Sequence, residues 1–211
     1  MTDYRFDVAE FVERARTRLL ATAPATFSRS DDDLNPDARA IPYDREPRGA
    51  AVLVPIVARE PEVTVLMIRR KDTLRNHSGQ IAFPGGKLEE FDRSPIDAAL
   101  REAEEETGLP RMLVDPQGFL DGYLTRTAYQ VVPVVALVTP EFSLHPDPVE
   151  VADIFEVPLR FLMGPENHLL HSRDWQGKSR SFYAMPYGER YIWGATAGMI
   201  KNLYDRMYAA P

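Results

Sequence analysis

Apolar positions recur at helical spacing near both ends of this chain and at strand spacing between them. In DVAEFVERARTRLLA, residues 7 to 21, Val8, Phe11, Val12, Ala15 and Leu19 share one face, which predicts an amphipathic helix whose role is packing. Residues 22 to 48 lose that period and fill with Pro, Asp, Ser and Arg, so they read as an extended connection. The run Ser30-Asp31-Asp32-Asp33 within it reads as a solvated loop rather than a cation site. Short β-branched runs follow at residues 50 to 58 and 63 to 69, separated by Arg59-Glu60-Pro61-Glu62, which has the composition of a hairpin turn. Further strands are predicted at 79 to 83, 118 to 124 and 131 to 138. A short helix is predicted at 158 to 163, strand pieces at 168 to 171 and 180 to 185, a turn at 187 to 190, and a closing helix at 195 to 209. Strands in the middle with helices flanking them predict an α+β fold, an α/β/α sandwich.

The stretch GGKLEEFDRSPIDAALREAEEETGL, residues 85 to 109, changes the picture from architecture to chemistry. Ser94-Pro95 reads as an N-cap followed by the first helical residue, Asp97 can reach back as a capping partner, and Gly108 supplies the stop, so a helix is predicted over about 95 to 107. Ile96, Ala99, Leu100 and Ala103 cover one apolar arc, and Glu102, Glu105 and Glu106 fall together beside it, with Glu104 pointing elsewhere. Like charges one turn apart cost a helix a few tenths of a kcal/mol unless a cation lies between them. Most such faces are merely solvated. Here the Gly85-Gly86 turn in front of the helix lets backbone approach a ligand closely and leaves a carbonyl or amide free for it. A site for a hard divalent ion and a diphosphate is therefore the better reading, Mg²⁺ or Mn²⁺ being the ions that carboxylate oxygen suits.

Composition narrows the rest. At 211 residues and 44% hydrophobic, the chain can bury one sizeable core. It has no apolar run long enough to span a bilayer, and Met1-Thr2-Asp3-Tyr4-Arg5 does not begin a signal peptide, so a cytoplasmic location with no membrane partner is expected. The absence of cysteine excludes disulfides and thiolate chemistry, leaving oxygen or histidine to hold any metal. A formal charge of -7 argues against nucleic acid as a partner, although local arginines can still set the field in a cleft for a polyphosphate. Arg69, Arg70, Lys71 and Arg75 are the densest basic cluster. If Arg69 ends a strand, Arg70 faces the opposite side, so one of the two is expected to enter the cleft.

The run Arg101-Glu102-Ala103-Glu104-Glu105-Glu106-Thr107-Gly108-Leu109 resembles, at every position, the R-E-U-x-E-E-x-G-U half of the signature of the Nudix hydrolases, U being aliphatic. Upstream, Gly86 lies fifteen residues before Arg101 rather than fourteen, and the place of the family's Glu is taken by Arg93 or, one earlier, Asp92. The preceding segment, Leu66-Met67-Ile68-Arg69-Arg70, then Arg75, Gly79 and Phe83-Pro84-Gly85-Gly86, is similar to the additional signature of the coenzyme A pyrophosphatase branch, which carries the longer spacing. Met67, Ile68 and Lys71 depart from that pattern. Further resemblance runs through 129 to 134, Glu150-Val151 with 155 to 159, and Ile192-Trp193-Gly194, covering about residues 50 to 205.

That resemblance implies the Nudix fold, a mixed sheet between helices, with residues 1–48 as an N-terminal helix and extended connection and 49–211 as the hydrolase domain. It implies metal-dependent cleavage of coenzyme A or an acyl derivative into 3′,5′-ADP and 4′-phosphopantetheine. Other nucleoside diphosphate derivatives (ADP-ribose, NADH, dinucleotide polyphosphates) and a non-catalytic nucleotide-binding module stand as alternatives. Glu102, Glu105 and Glu106 with the Gly85 carbonyl would hold the ion, Arg101 would orient a carboxylate, and Glu150 or the helix itself would supply a general base. Arg69, Arg70, Arg75, His77 and Tyr129 are the substrate-binding candidates, guanidinium forks being suited to phosphate. Trp193 is read as core packing ahead of stacking on adenine. The N-terminal and closing helices offer a contact for a homodimer.

Overall fold

The fold is built on two long strands whose apolar residues run almost without interruption, the pattern of strands buried on both faces. In the computed structural model, which describes residues 4–39, 46–73, 78–175 and 177–209, these are β2 (Arg48–Val57) and β8 (Tyr129–Val138), paired in parallel from Arg48 opposite Tyr129 to Val57 opposite Val138. Around them lie β1 (Arg29–Ser30), β3 (Thr64–Arg70), β4 (Ile81–Ala82), β5 (Gly85–Lys87), β6 (Val114–Phe119), β7 (Tyr123–Leu124) and β9 (Val151–Pro158), which complete a mixed sheet of nine strands among the described residues. β10 (Leu169–Trp175), β11 (Lys178–Tyr187) and β12 (Arg190–Trp193) form a separate antiparallel sheet. The helices are α1 (Val8–Arg18), α2 (Pro36–Arg39), α3 (Pro95–Thr107), α4 (Leu159–Leu162) and α5 (Ala195–Met207).

Strand alternation divides the core in two. Ala51, Leu53 and Leu66 pack under α3 against Ala98, Ala99 and Ala103, while Val54, Ile56, Val65 and Met67 face Phe11 of α1, Ile200 and Leu203 of α5, and Met185 and Ile192 of the small sheet. Helices therefore cover both faces of the mixed sheet, the α+β sandwich that the strand pattern predicts. The N-terminal elements join this core: Phe6, Phe11 and Ala15 are buried in it and β1 pairs with β7.

Several boundaries differ from the pattern-based expectation. The stretch 118 to 124 is two strands, β6 and β7, not one. β9 was not expected as a strand, because Asp153 and Glu156 interrupt its apolar run. In the structure Glu156 is neutralised by the Arg59 guanidinium at 2.7 and 3.1 Å and accepts a hydrogen bond from Thr64, so a charge is accommodated in mid-strand. On α3 the buried face is centred on Ala98, Ala99 and Ala103 and takes in Glu106, while Ile96 and Leu100 lie half-buried at its flank. The facing surfaces of α1 and α5, offered above as a dimer contact, pack on each other within the chain. Arg14 donates to the Met207 carbonyl at 2.7 Å beneath the Tyr4 and Tyr208 rings, and Arg206 donates to the Arg18 carbonyl at 3.2 Å. No helix among the described residues is long and apolar enough to cross a membrane.

Candidate metal and diphosphate site

The N-terminus of α3 forms as its sequence dictates. Ser94 caps it by accepting from the Asp97 amide at 3.2 Å, and the Asp97 carboxylate reaches back to the Arg93 amide, also at 3.2 Å. Pro95 needs no amide partner in the first turn. At the other end Gly108 adopts φ 72°, the left-handed conformation that ends a helix, and a β-carbon there would press on the backbone of His145. That close approach lets the following loop dock on the helix terminus: the His145 amide donates to the Thr107 carbonyl at 2.8 Å and the Asp147 amide to the Glu106 carbonyl at 2.9 Å. Asp147 in turn accepts from the amides of Val149 and Glu150. Residues 145 to 150 are thus tied to α3 by backbone, and Glu150 is delivered beside Glu106.

Glu106 is the buried member of the set, with 4% of its surface exposed. Its Oε2 accepts from the Gly85 amide at 2.9 Å and its Oε1 from Arg70 Nη1 at 3.2 Å. Of the two groups a Gly-Gly turn leaves free, it is the Gly85 amide that engages a carboxylate. Arg70 Nη2 continues to Glu150 at 3.1 Å, so one guanidinium bridges a carboxylate on the helix and one on the loop. Strand geometry explains why Arg70 arrives here and Arg69 does not. Arg70 shares the α3 face with Leu66 and Ile68, whereas Arg69 projects from the other face and pairs with Asp72 at 3.4 Å. A register shift between Arg69 and Arg70 against β9 sets Arg70 opposite Val151, next to Glu150.

Arg101 is held quite differently. It binds Asp92 in a fork, Nε to Oδ1 and Nη2 to Oδ2 both at 3.0 Å, and donates to Glu102 at 2.9 Å, to Glu105 at 3.2 Å and to the Lys87 carbonyl at 3.2 Å. The Asp92 and Arg101 side chains are only 2% and 12% exposed, a setting in which breaking a pair costs about 3–5 kcal/mol. Hydrogen bonding to Arg101 holds the Asp92 carboxyl below the usual carboxylate range, and the same bond raises the Arg101 pKa further. Of the two residues at the position of the signature's Glu, it is Asp92 that pairs with Arg101. The sequence signal was its position nine residues ahead of Arg101, blurred by the choice between it and Arg93. Arg70, by contrast, has a buried Nε without a partner, a defect worth roughly 1–3 kcal/mol, and one of its two carboxylates, Glu150, is 49% exposed. Arg101 is a fixed clamp and Arg70 a loose bridge.

Among the described residues, two guanidinium groups thus serve five carboxylates: Asp92, Glu102, Glu105, Glu106 and Glu150. Burial raises the pKa of Glu102, and it pushes Glu106 up to about 7, with the neighbouring Glu102 and Glu150 adding to the rise and the Gly85 amide and Arg70 opposing it. Charge is therefore short on the positive side, and every donor is hard oxygen, which fits Mg²⁺ or Mn²⁺. As they stand, no three of the described His, Asp and Glu side chains converge into a ready ion cage, because Arg70 and Arg101 occupy the oxygens that would form it. Glycine at 86 is demanded by the same crowding, since a methyl group there would collide with the Glu102 carboxylate.

The remaining candidates are dispersed. Tyr129 is half-buried and packs on the core of the face opposite α3. Trp193 packs against Phe182 at 5.3 Å and, with His171, Arg173 and Tyr191, lines a cavity of about 660 Å³ on the small sheet. Arg75 and His77 lie outside the described residues.

A family profile described as NUDIX domain matches residues 47–179. An uncharacterized Nudix hydrolase, NudL, of Photorhabdus laumondii is 43% identical over 160 residues, covering 76% of this chain and 85% of its own length. NudL of Yersinia pestis is 42% identical over 162 residues, covering 76% and 80%. Among solved structures, the NUDIX domain of Shewanella oneidensis NrtR, crystallised with ADP-ribose, is 16% identical with a TM-score of 0.49 over 82% of this chain and 97% of that one.

Two expectations follow from the geometry. Gly86→Ala displaces the flexible Glu102 carboxylate rather than backbone, so it should leave the melting temperature nearly unchanged while lowering ion-dependent turnover about 10²-fold; Gly85→Ala, whose methyl would meet the Ala51 carbonyl at 2.5 Å, should instead lower stability. Paired melting and activity measurements separate the two, and equal effects in both would contradict this reading. For Glu106 the folded pKa of about 7 lies above the ordinary 4.5, so the stability linked to its proton is complete below about 4.5 and is lost as pH rises through 7. In chelator, the stability of Glu106→Gln relative to wild type should therefore grow between pH 5 and pH 8, by on the order of 3 kcal/mol, and a flat difference would show the carboxyl is not perturbed.

Proposed function

The chain belongs to the Nudix family and is a hydrolase acting on phosphorus anhydrides, and from that premise we propose that it cleaves the diphosphate of coenzyme A or an acyl derivative, with Mg²⁺ or Mn²⁺ as cofactor. The observation that carries the metal-dependent part is the set of carboxylates around Gly85-Gly86, which among the described residues are served by two arginines, Arg70 and Arg101. Glu102 and Glu106 would hold the ion, with Glu105 at their exposed flank and the Gly85 carbonyl as a further oxygen. When bound, the ion supplies positive charge against the diphosphate oxygens and makes water more acidic. What supports coenzyme A is the run from Leu66 through Arg70 and Gly79 to Phe83-Pro84-Gly85-Gly86, together with the fifteen-residue spacing from Gly86 to Arg101.

In the reaction one water oxygen joins one phosphorus, the bridging P–O bond breaks, and two phosphomonoesters leave, here 3′,5′-ADP and (acyl-)4′-phosphopantetheine. The residues divide the work by their exposure. Glu150, half exposed on the docked loop, takes the proton of the attacking water, while Glu106 is sheltered beneath it. Arg101, locked on Asp92, keeps Glu102 and Glu105 in position and does not touch substrate. Arg70 and Arg69 leave the strand on opposite faces, so Arg70, beside Glu106 and Glu150, is the one of the pair that can meet a diphosphate bound there. The chemistry is expected to take place in the cytoplasm, on a small nucleotide substrate.

Incubating the purified protein with coenzyme A and Mg²⁺ or Mn²⁺, beside ADP-ribose, NADH and a dinucleotide polyphosphate, tests this assignment. Resolved products should be 3′,5′-ADP and 4′-phosphopantetheine, with coenzyme A turned over fastest and Glu106→Gln losing about 10³-fold in kcat. Equal turnover across the panel would remove the coenzyme A assignment, and no turnover with any divalent ion would remove the metal-dependent one.

A further inference from the structure

We propose that Arg70 and the divalent ion compete for the same carboxylates, the ion entering by displacing the Arg70 guanidinium from Glu106 and Glu150. The inference rests on the metal-dependent reading above and adds a side chain that competes with the ion. Its basis is the contrast between the two arginines. Arg101 makes a fork to one carboxylate, spends its remaining donors on Glu102, Glu105 and a carbonyl, and is nearly buried. Arg70 gives one donor to each of two carboxylates from different elements, at 3.2 and 3.1 Å, and leaves its buried Nε unsatisfied. A guanidinium committed for good would favour a paired fork and would not strand a donor. A bridge that neutralises two repelling carboxylates, yet does so imperfectly, suits a group that yields to a better cation.

The surroundings support a replacement that leaves the carboxylates in place. Glu106 keeps its Gly85 amide when Arg70 withdraws, and Glu150 keeps the backbone anchors of its loop, with the Asp147 carboxylate on its amide and the Lys71 amide on its carbonyl at 2.9 Å. Withdrawal frees Glu106 for the ion, Glu150 for the proton of water, and the Arg70 guanidinium for an anionic phosphate oxygen. One movement thereby couples loading of the ion to recognition of the substrate. Arg69 is excluded from this role by its place on the other face of β3.

The test measures Mn²⁺ affinity of the metal-free, full-length protein, by calorimetry or electron paramagnetic resonance without substrate, together with turnover of coenzyme A. If Arg70 competes with the ion, Arg70→Gln binds Mn²⁺ about tenfold more tightly than wild type yet turns over more slowly, and Arg69→Gln leaves Mn²⁺ affinity unchanged. Arg70→Lys, which keeps the charge but has a single nitrogen in place of the two that reach Glu106 and Glu150, should also tighten Mn²⁺ binding, by a smaller factor, and serves if the Gln variant does not fold. Unchanged or weaker Mn²⁺ binding in both Arg70 variants overturns the proposal and leaves the metal-dependent reading intact. Equal tightening in Arg69→Gln overturns it too, by showing only a through-space charge effect. Failure of wild type and variants alike to bind Mn²⁺ overturns both.

Discussion

Carboxylates that share one helix face and one docked loop repel each other, and burial of Glu106 removes most of the water that would screen them. Everything at this end of the molecule answers that repulsion. Arg101 neutralises one side through Asp92, Glu102 and Glu105, Arg70 neutralises the other through Glu106 and Glu150, and the Gly85 amide supplies a dipole from the turn. What is left uncompensated is the reason for reading the site as a receptor for a hard cation. A structural role alone would have been met at lower cost by apolar or amide side chains of similar size.

The scaffold explains how so many charges are brought together without unfolding the helix that carries them. Three alanines let α3 lie close on the sheet, and β5 places Gly85 and Gly86 directly beside β2, opposite Val52 and Ala51. The loop after β8 is not free to wander, because its amides close the C-terminal carbonyls of α3. Glu150 is therefore as firmly placed in backbone terms as the helical glutamates, even though its side chain stands half in solvent. The strand bearing Arg70 arrives from the opposite side, and its register shift against β9 aims the guanidinium into the gap.

Much of this was legible in the sequence, and unevenly so for physical reasons. α3 could be bounded to the residue because its stops are local: a serine cap, a proline in the first turn and a glycine with positive φ. Helical period set Glu102, Glu105 and Glu106 near one another but did not show that Glu106 is drawn into the buried face while Glu105 stays exposed. The partition of Arg69 and Arg70 to opposite faces followed from strand period, but which of them enters the site depended on which face α3 covers, a tertiary fact. β9 was hidden because its charges are balanced from distant parts of the chain, Glu156 by Arg59, ninety-seven residues away, and Asp153 by Arg190. Asp92 as the partner of Arg101 was ambiguous by one residue, since loop geometry rather than spacing decides which side chain turns inward. The bridge by Arg70 had no local signal at all, being made between a strand end, a helix and a loop.

The direct measurement of the central claim is the position of Mn²⁺ in crystals of the protein soaked with the ion, located by its anomalous scattering. The account places the peak among Glu102, Glu106 and Gly85, with the Arg70 guanidinium no longer against Glu106. A peak elsewhere on the molecule, or none at saturating Mn²⁺ with the Arg70 bridge intact, would contradict it.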